Sequence, residues 1–432
     1  MAKRPNEFNR ARVLFCDHLN LARGKYLPFE VAREGVSRHC IGLWALGYDR
    51  DMTPAPGTMM LEGLPDLEAR FDFNHMRRGW EDDTGVVVCD LYREDKPLPL
   101  CARGALRRAI ADWETLGLTP KLGIEFEGYV FQRGDNGDWV PYDTPGAYVY
   151  GTGAAIDPAG LVDDIWAQAE ACGFPLEFIC SEYDWPQFEF TLRYDHALKA
   201  VDDAFLFKLM AREILLKRGY LLTYMPKPLV GKGGNGLHFN LSLSDEGGGN
   251  AINDPKGKEG LSELAYQCIA GLVEHHEGMT ALLAPTVNSY RRLRPASLAG
   301  YWANWGHDHR GVAVRVPAER GKGARVEHRV ADGAANPYIA AAAVLQAARL
   351  GTVEKPKLPP AETGDGLETV DTDRHIPEHL GAALAAMEAD KSLAAAIGQE
   401  VIDHFAVVKQ AEFQRFLDHT TDWEMNEYLP FL

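Results

Sequence analysis

In the stretch KLGIEFEGYVF, residues 121 to 131, polar and apolar side chains alternate, so a strand there carries Glu125 and Glu127 on one face. That pair is a strong constraint, because a chain that sets carboxylates side by side must also supply positive charge. Two unit charges 4 Å apart repel by about 4 kcal/mol at intermediate dielectric. Four more residues stand in comparably distinctive strings: Glu182 and Glu189 in SEYDWPQFEFTLRY, His238 in GGNGLHFNLSL and Glu327 in RVEHRVADGAANPY. Gathered in one cleft, five carboxylates and one imidazole form an oxygen-rich donor set that suits Mg²⁺ or Mn²⁺ better than zinc or copper. Taken singly, each glutamate reads as a solvated strand residue.

Bulk properties exclude several function classes. At 432 residues the chain is long enough for two domains or one large one. A formal charge of −17 argues against a nucleic-acid partner, which needs a basic stripe. No apolar run reaches the length of a membrane span, and MAKRPNEFNRARVLF lacks the hydrophobic centre of a signal peptide, so the expected location is the cytoplasm. The seven cysteines are odd in number and show no C-x-x-C spacing, which suits free thiols in a reducing compartment.

The texture changes near residue 100. Short β-like runs (ARVLF, GVVVCDLY) precede a proline-rich link and an amphipathic helix in KPLPLCARGALRRAIADWETLG. Beyond it, HALKAVDDAFLFKLMAREILLKRG reads as a long helix stopping at Gly219, and HFNLSLS as a strand with His238, Asn240 and Ser242 on one face. SELAYQCIAGLVEHHEGMTALLA and the Ala-rich NPYIAAAAVLQAARLG are expected to be two further helices, the second buried. Residues 352 to 376 lack periodicity and read as an exposed excursion. His275 and His276, adjacent on a helix, face apart and make a poor metal pair; His307 and His309 read as solvated loop residues.

Together these strings, with CDHLNLARGKYLP, MPKP, PTVNSYRRL and the tail TDWEMNEYLPFL, resemble the glutamine synthetase superfamily, ATP-dependent ligases that join the γ-carboxyl of glutamate to ammonia or an amine. The resemblance implies an α+β fold: a small N-terminal β-grasp domain over residues 1–103 and a large catalytic domain over 104–432 with a curved antiparallel sheet flanked by helices. It implies that Glu127, Glu182 and Glu189 hold one divalent cation and that Glu125, His238 and Glu327 hold a second, with ATP as cosubstrate. Arg315 and Arg325 would clamp phosphates, while Arg292, Arg310 and Arg329 would meet the glutamate carboxylates or the acyl phosphate, a task suited to planar guanidinium groups. Arg310 and Arg329 would therefore be catalytic. Gly234 would offer backbone to the amino acid, Ser242 and Asn240 would lie near the nucleotide, and Tyr194 would pack on adenine. A homo-oligomer of stacked rings, with active sites between subunits, is implied as well.

The chain departs from the ammonia-using members of that superfamily. They resemble one another in an F-D-G-S-S-I string and in a glutamate shortly after N-S-Y-K-R-L, both helping to bind ammonium. Here the first region reads GLWALGYDRD, and NSYRRL is followed by RPASLAGYWANWG, with Leu298 near the position of the glutamate. Asp308 is the only acid between Tyr290 and Glu319. Two positions differ further: Asn240 stands where the family has a second histidine, and Gly233 where an asparagine is common. The expected activity is therefore that of a glutamate–amine ligase resembling γ-glutamylpolyamine and γ-glutamylalkylamide synthetases. Its organic amine would pack against Trp44, Leu298, Trp302 or Trp305, and its acyl donor would be glutamate or an analogue. An ammonia-using glutamine synthetase and a non-catalytic structural or regulatory homologue are the alternatives; the second gives no reason to keep five mutually repelling carboxylates.

Overall fold

The computed structural model of the chain describes residues 8–48, 51–58, 62–146, 148–367 and 370–432. The N-terminal strands form two four-stranded sheets. One contains β1 (Arg10–Cys16), β2 (Ala22–Pro28), β5 (Arg77–Arg78) and β6 (Thr84–Val88), with β1 and β6 parallel. The other contains β3 (Val36–Cys40), β4 (Asp66–Arg70), β7 (Asp90–Arg93) and β8 (Lys96–Pro97). A one-turn helix, α1 (Phe29–Ala32), joins β2 to β3. Phe15, Phe29, Trp44, Leu67 and Leu91 are buried between these layers.

Helix α2 (Ala102–Glu114) then leads into a nine-stranded sheet made of β9 (Thr119–Arg133), β10 (Trp139–Pro141), β11 (Leu176–Ser181), β12 (Gln187–His196), β13 (Tyr220–Thr223), β14 (Leu237–Ser244), β15 (Trp305–His307), β16 (Val314–Val316) and β17 (Val326–His328). All its pairings are antiparallel except that of β15 with β16. The fold is thus α+β, as the resemblance implied. Around the sheet lie α3 (Leu161–Cys172), α4 (Ala197–Lys217), α5 (Glu263–Glu274), α6 (His276–Leu283), α7 (Ser289–Arg292), α8 (Pro337–Glu354), α9 (Leu380–Ala389), α10 (Lys391–Ile397), α11 (Gln399–Leu417) and α12 (Asp422–Tyr428).

The core explains why the Ala-rich helix is buried. Small residues let α8 approach α5 until their backbones touch: a Cβ added at Gly351 would stand 2.1 Å from the Gln267 carbonyl oxygen, and one at Gly271 2.1 Å from that of Ala347. No side chain can yield there, so Gly351→Ala is expected to force the helices apart and destabilise the protein by about 1–3 kcal/mol, read as a lower denaturant midpoint.

One local expectation is corrected and two are refined. The helix expected across SELAYQCIAGLVEHHEGMTALLA is two, because His275 leaves helical geometry (φ −92°, ψ 17°) where its Nδ1 meets Asp390 Oδ2 at 2.7 Å. His276 points elsewhere, its Nε2 lying 3.2 Å from the Tyr301 carbonyl, so the pair does face apart. The excursion after residue 351 begins as the last turn of α8 and then runs irregular and largely open, as expected, but it is pinned where two indole N–H groups find acceptors. Trp305 Nε1 donates to the Pro359 carbonyl at 2.9 Å and Trp302 Nε1 to that of Leu367 at 2.8 Å. His309 is half-buried and held in place: its Nε2 lies 2.8 Å from the Gly364 carbonyl and its Nδ1 accepts from Gly311 N. His307 packs edge-on against Trp305, with its Nδ1 buried.

Candidate active site

Register places the functional side chains. Strand β9 is the axis of the large sheet, and its alternation sends Glu125 and Glu127 to one face while Ile124 and Phe126 enter the core. On one side β12 sets Glu189 opposite Glu127; on the other β14 sets His238 opposite Glu125, and β17 sets Glu327 opposite Asn240. Glu182 follows β11 and is tied back by its backbone N–H to the Gln187 carbonyl. Residues far apart in sequence thus meet as two triads. The ligand atoms of Glu125, His238 and Glu327 lie within 4.8 Å of one another, and so do those of Glu127, Glu182 and Glu189.

Gly236 marks where the triads approach. A Cβ there would stand 3.0 Å from His238 Nε2 and from Arg292 Nη2, and 3.3 Å from Glu127 Oε1, so a side chain would fill the space between the two groups. Its backbone N–H donates to Glu127 Oε2 at 2.7 Å. Gln187, buried and adjacent, donates from Nε2 toward Glu127 Oε2 (3.2 Å), the Gly234 carbonyl (3.0 Å) and Asn235 Oδ1 (3.0 Å).

The electrostatics of the two triads differ in sign. Burial opposes ionisation of Glu327, but Arg329, His238 and Arg315 outweigh it and bring its carboxyl down to about 2. Arg315 Nη1 donates to Glu327 Oε2 at 2.9 Å and Arg329 Nη1 to Oε1. Glu125 is also lowered against its burial, by His238 and by Asn240, whose Nδ2 donates to Glu125 Oε1 at 2.8 Å. In the other triad His238 and Arg292 attract Glu127 without outweighing its burial, and among the described residues no arginine or lysine bonds a carboxylate of the set. Burial, the hydrogen bond that the protonated Glu189 donates to Glu182, and the charges of Glu125, Glu182 and Glu127 push Glu189 up to about 9, and burial raises Glu127 too. An all-oxygen triad that holds a proton at neutral pH is a set short of positive charge, which a hard divalent cation would supply. Cation binding to this triad is therefore expected to expel about one proton at pH 7 and to tighten as pH rises toward 9; Mn²⁺ titrations in two buffers of different ionisation enthalpy would measure it.

The remaining sequence-derived residues fall in distinct places. Arg325 Nε donates to Asn240 Oδ1 at 3.0 Å, so Asn240 bridges that arginine and Glu125. Gly123 lies between Tyr194 and Asn240, its missing Cβ 3.5 Å and 3.4 Å from theirs, and the Tyr194 ring is exposed. Ser242 is half-buried on the same strand face as Asn240. Gly234 closes against the Pro226 carbonyl and the Arg292 side chain, which leaves no room for a Cβ. Arg292 is buried beneath the triads, with Nη1 on the Val330 carbonyl and Nη2 on that of Arg329. Arg310 is exposed after β15, near Asp308, and is not drawn into the triads.

The expected acceptor wall needs correction. Trp44 is fully buried in the N-terminal core, stacked on Phe15, and offers no face to a ligand in this chain; Trp305 is buried against Tyr266 and borders a separate cavity with His307 and Lys357 that no triad residue lines. Their planar bulk is used for packing. Trp302 is half-buried, while Leu298 is exposed and its carbonyl accepts from Arg329 Nη2 at 3.4 Å, which puts it at the mouth of the arginine cluster. Asp49 and Arg50 of GLWALGYDRD lie outside the described residues. Sequence reasoning missed Gln187 and Gly236, and also the exposed aromatics beside Glu182: Tyr183, whose N–H donates to Glu182 Oε2 at 3.0 Å, and Tyr150, whose N–H donates to the Ser181 carbonyl. The run EYDW next to Glu182 was a legible sign of the first.

Two carboxylate triads, one neutralised by arginines and one short of positive charge, are donor sets that could each hold a divalent cation. Comparison with known proteins agrees on the class. The model of the glutamine synthetase catalytic domain matches residues 99–428. Glutamine synthetase of Pyrococcus abyssi is 31% identical over 440 residues, covering 96% of this chain and 95% of that protein; that of Staphylococcus aureus strain MW2 is 34% identical over 366 residues, 81% of each. Among solved structures, apo GmaS without ligand superposes with a TM-score of 0.85 at 29% identity, covering 98% of this chain and 97% of that one. A GmaS/ADP complex gives 0.84 at 27% identity over the whole of both chains. The chain belongs to the glutamine synthetase family.

Proposed function

We propose that this member of the family is a ligase that spends ATP to join the γ-carboxyl of glutamate, or a close analogue, to an organic amine through a γ-glutamyl phosphate. The observation that carries the choice of amine is the state of the one acid in the segment following NSYRRL. Asp308 Oδ1 accepts from Arg315 Nη2 at 2.6 Å, so it is committed to an arginine, and Leu298 stands exposed at the mouth with no charge to offer. Among the described residues that segment supplies no free carboxylate for a small cation such as ammonium. An organic amine instead has apolar and aromatic surface to meet at Leu298, Tyr150 and Tyr183, with cation–π attraction of about 0.5–1 kcal/mol before it loses its proton.

In this reading Glu127, Glu182 and Glu189 hold a cation near the donor carboxylate, and Glu125, His238 and Glu327 hold one near the ATP phosphates. Bound Mg²⁺ or Mn²⁺ would offset phosphate charge during transfer. Arg315 and Arg325 orient phosphate oxygens; Arg329, with Arg310 and Arg292, faces the donor and the acyl phosphate. Tyr194 offers a face to adenine, with Asn240 and Ser242 beside it. Similarity to a GmaS/ADP complex supports the nucleotide part. No general base is assigned to the amine, so turnover should rise toward alkaline pH as the free amine fraction grows.

The same reading takes residues 1–103 and 104–432 as two domains and the working protein as a homo-oligomer of stacked rings in the cytoplasm. The tail supports self-association: Trp423, Leu429 and Phe431 are 62%, 68% and 85% exposed, an apolar surface that a closed assembly would cover. Among the described residues no helix is long and apolar enough to cross a membrane.

The test is ATP turnover with Mg²⁺ or Mn²⁺ and glutamate, comparing ammonium with alkyl, diamine and aromatic amines. One amine class should exceed ammonium in kcat/KM by about 100-fold or more, a difference of about 2.7 kcal/mol in transition-state stabilisation. Efficient glutamine formation from ammonium would overturn the amine reading.

A further inference from the structure

Beside α4, on the side where the loops after β1 and β13 meet it, lies a cavity of about 220 Å³ that none of the triad residues or their arginines lines. Lys208, Arg212, Asn20, Tyr48, Thr223 and Tyr224 supply its polar and aromatic groups, and among the described residues no carboxylate lines it, although the chain carries a net charge of −17. Lys208 is only 7% exposed. Its Nζ gives one hydrogen bond, to the Gly333 carbonyl at 2.8 Å, and sits 4.5 Å from the centre of the Tyr224 ring; its other N–H groups have no acceptor among the described residues. A buried ammonium with unused donors is costly to keep. Asp332 attracts it electrostatically but also faces Arg292 and stays out of the cavity lining. Arg212, one helical turn further along α4, is exposed and has no ion pair among the described residues.

We propose that this cavity binds a small oxyanion, a carboxylate or a phosphate, through Lys208 and Arg212. A buried cation with a second, exposed cation one turn away, and the Asn20 amide and Thr223 hydroxyl in the same lining, is the chemistry that recognises such groups. Its volume equals about seven bulk waters, enough for inorganic phosphate or a short dicarboxylate and too small for a nucleotide. Burial brings the Lys208 ammonium down to about 8, so it is still charged at neutral pH.

Calorimetric titration of the metal-free full-length protein with inorganic phosphate, and separately with glutarate, tests the site and distinguishes its two possible ligands. At least one anion should bind, and Lys208→Met and Arg212→Gln should each weaken it about tenfold or more, while Lys208→Arg should retain most of the affinity. Arg212→Gln changes an exposed side chain and so keeps the test clear of misfolding. Failure of both anions to bind, or binding that Arg212→Gln leaves unchanged, would overturn the proposal.

Discussion

Glu327→Ala is expected to destabilise the protein by about 3–5 kcal/mol and to abolish turnover. Glu327 is 1% exposed and accepts from both Arg315 and Arg329, so its removal leaves two guanidinium groups facing one another with their shared anion gone. The loss is one of compensation rather than of packing. Replacing the group as a whole, with Glu327→Leu and Arg329→Met together, should therefore recover part of the stability but none of the activity. Urea unfolding of the single and double variants reads the first effect and ADP release the second.

Glu189→Gln should act in the opposite direction on stability while also removing activity. In the folded, metal-free protein Glu189 titrates near 9, well above an unfolded glutamate. Such a group stabilises relative to its ionised reference only at low pH, and its cost grows as pH rises from the unfolded value toward 9. Glutamine keeps the shape without the proton requirement. The variant should be more stable than the parent by about 1–3 kcal/mol at pH 7, with the difference vanishing near pH 4. Added Mn²⁺ should stabilise the parent and do so much less for the variant, and kcat should fall by about three orders of magnitude. Parallel melts at pH 4 and pH 7, with and without Mn²⁺, separate these effects.

The contrast between the two triads shows what could be read from the chain and what could not. Period-two alternation in KLGIEFEGYVF and HFNLSLS was enough to put Glu125 with Glu127 and His238 with Asn240 on shared faces, because a strand obeys that rule whatever surrounds it. The grouping into triads came from resemblance, and cross-strand register realises it: His238 opposite Glu125, Glu189 opposite Glu127. Register depends on long-range pairing that no local string encodes. The same limit hid Gln187, whose amide matters only once β12 lies beside Asn235, and Gly236, whose role is the space it leaves between groups more than 100 residues apart in sequence.

Aromatics were the least legible. A tryptophan has one appearance in sequence whether it lines a pocket or fills a core, and Trp44 and Trp305 fill cores. The segment after residue 351 is irregular and largely open as its composition suggested, but its anchoring stayed hidden: its carbonyls are the acceptors that Trp302 and Trp305 need, and such a pairing has no periodicity to detect.

The most direct measurement is positional oxygen transfer. Glutamate labelled with ¹⁸O in its γ-carboxylate is incubated with ATP, Mn²⁺ and an alkylamine, and both the amide product and the released phosphate are weighed by mass spectrometry. The account predicts a γ-glutamyl amide carrying one label and inorganic phosphate carrying the other. Phosphate without label, or labelled phosphate accompanied by glutamine in place of the amide when ammonium is also present, would contradict it.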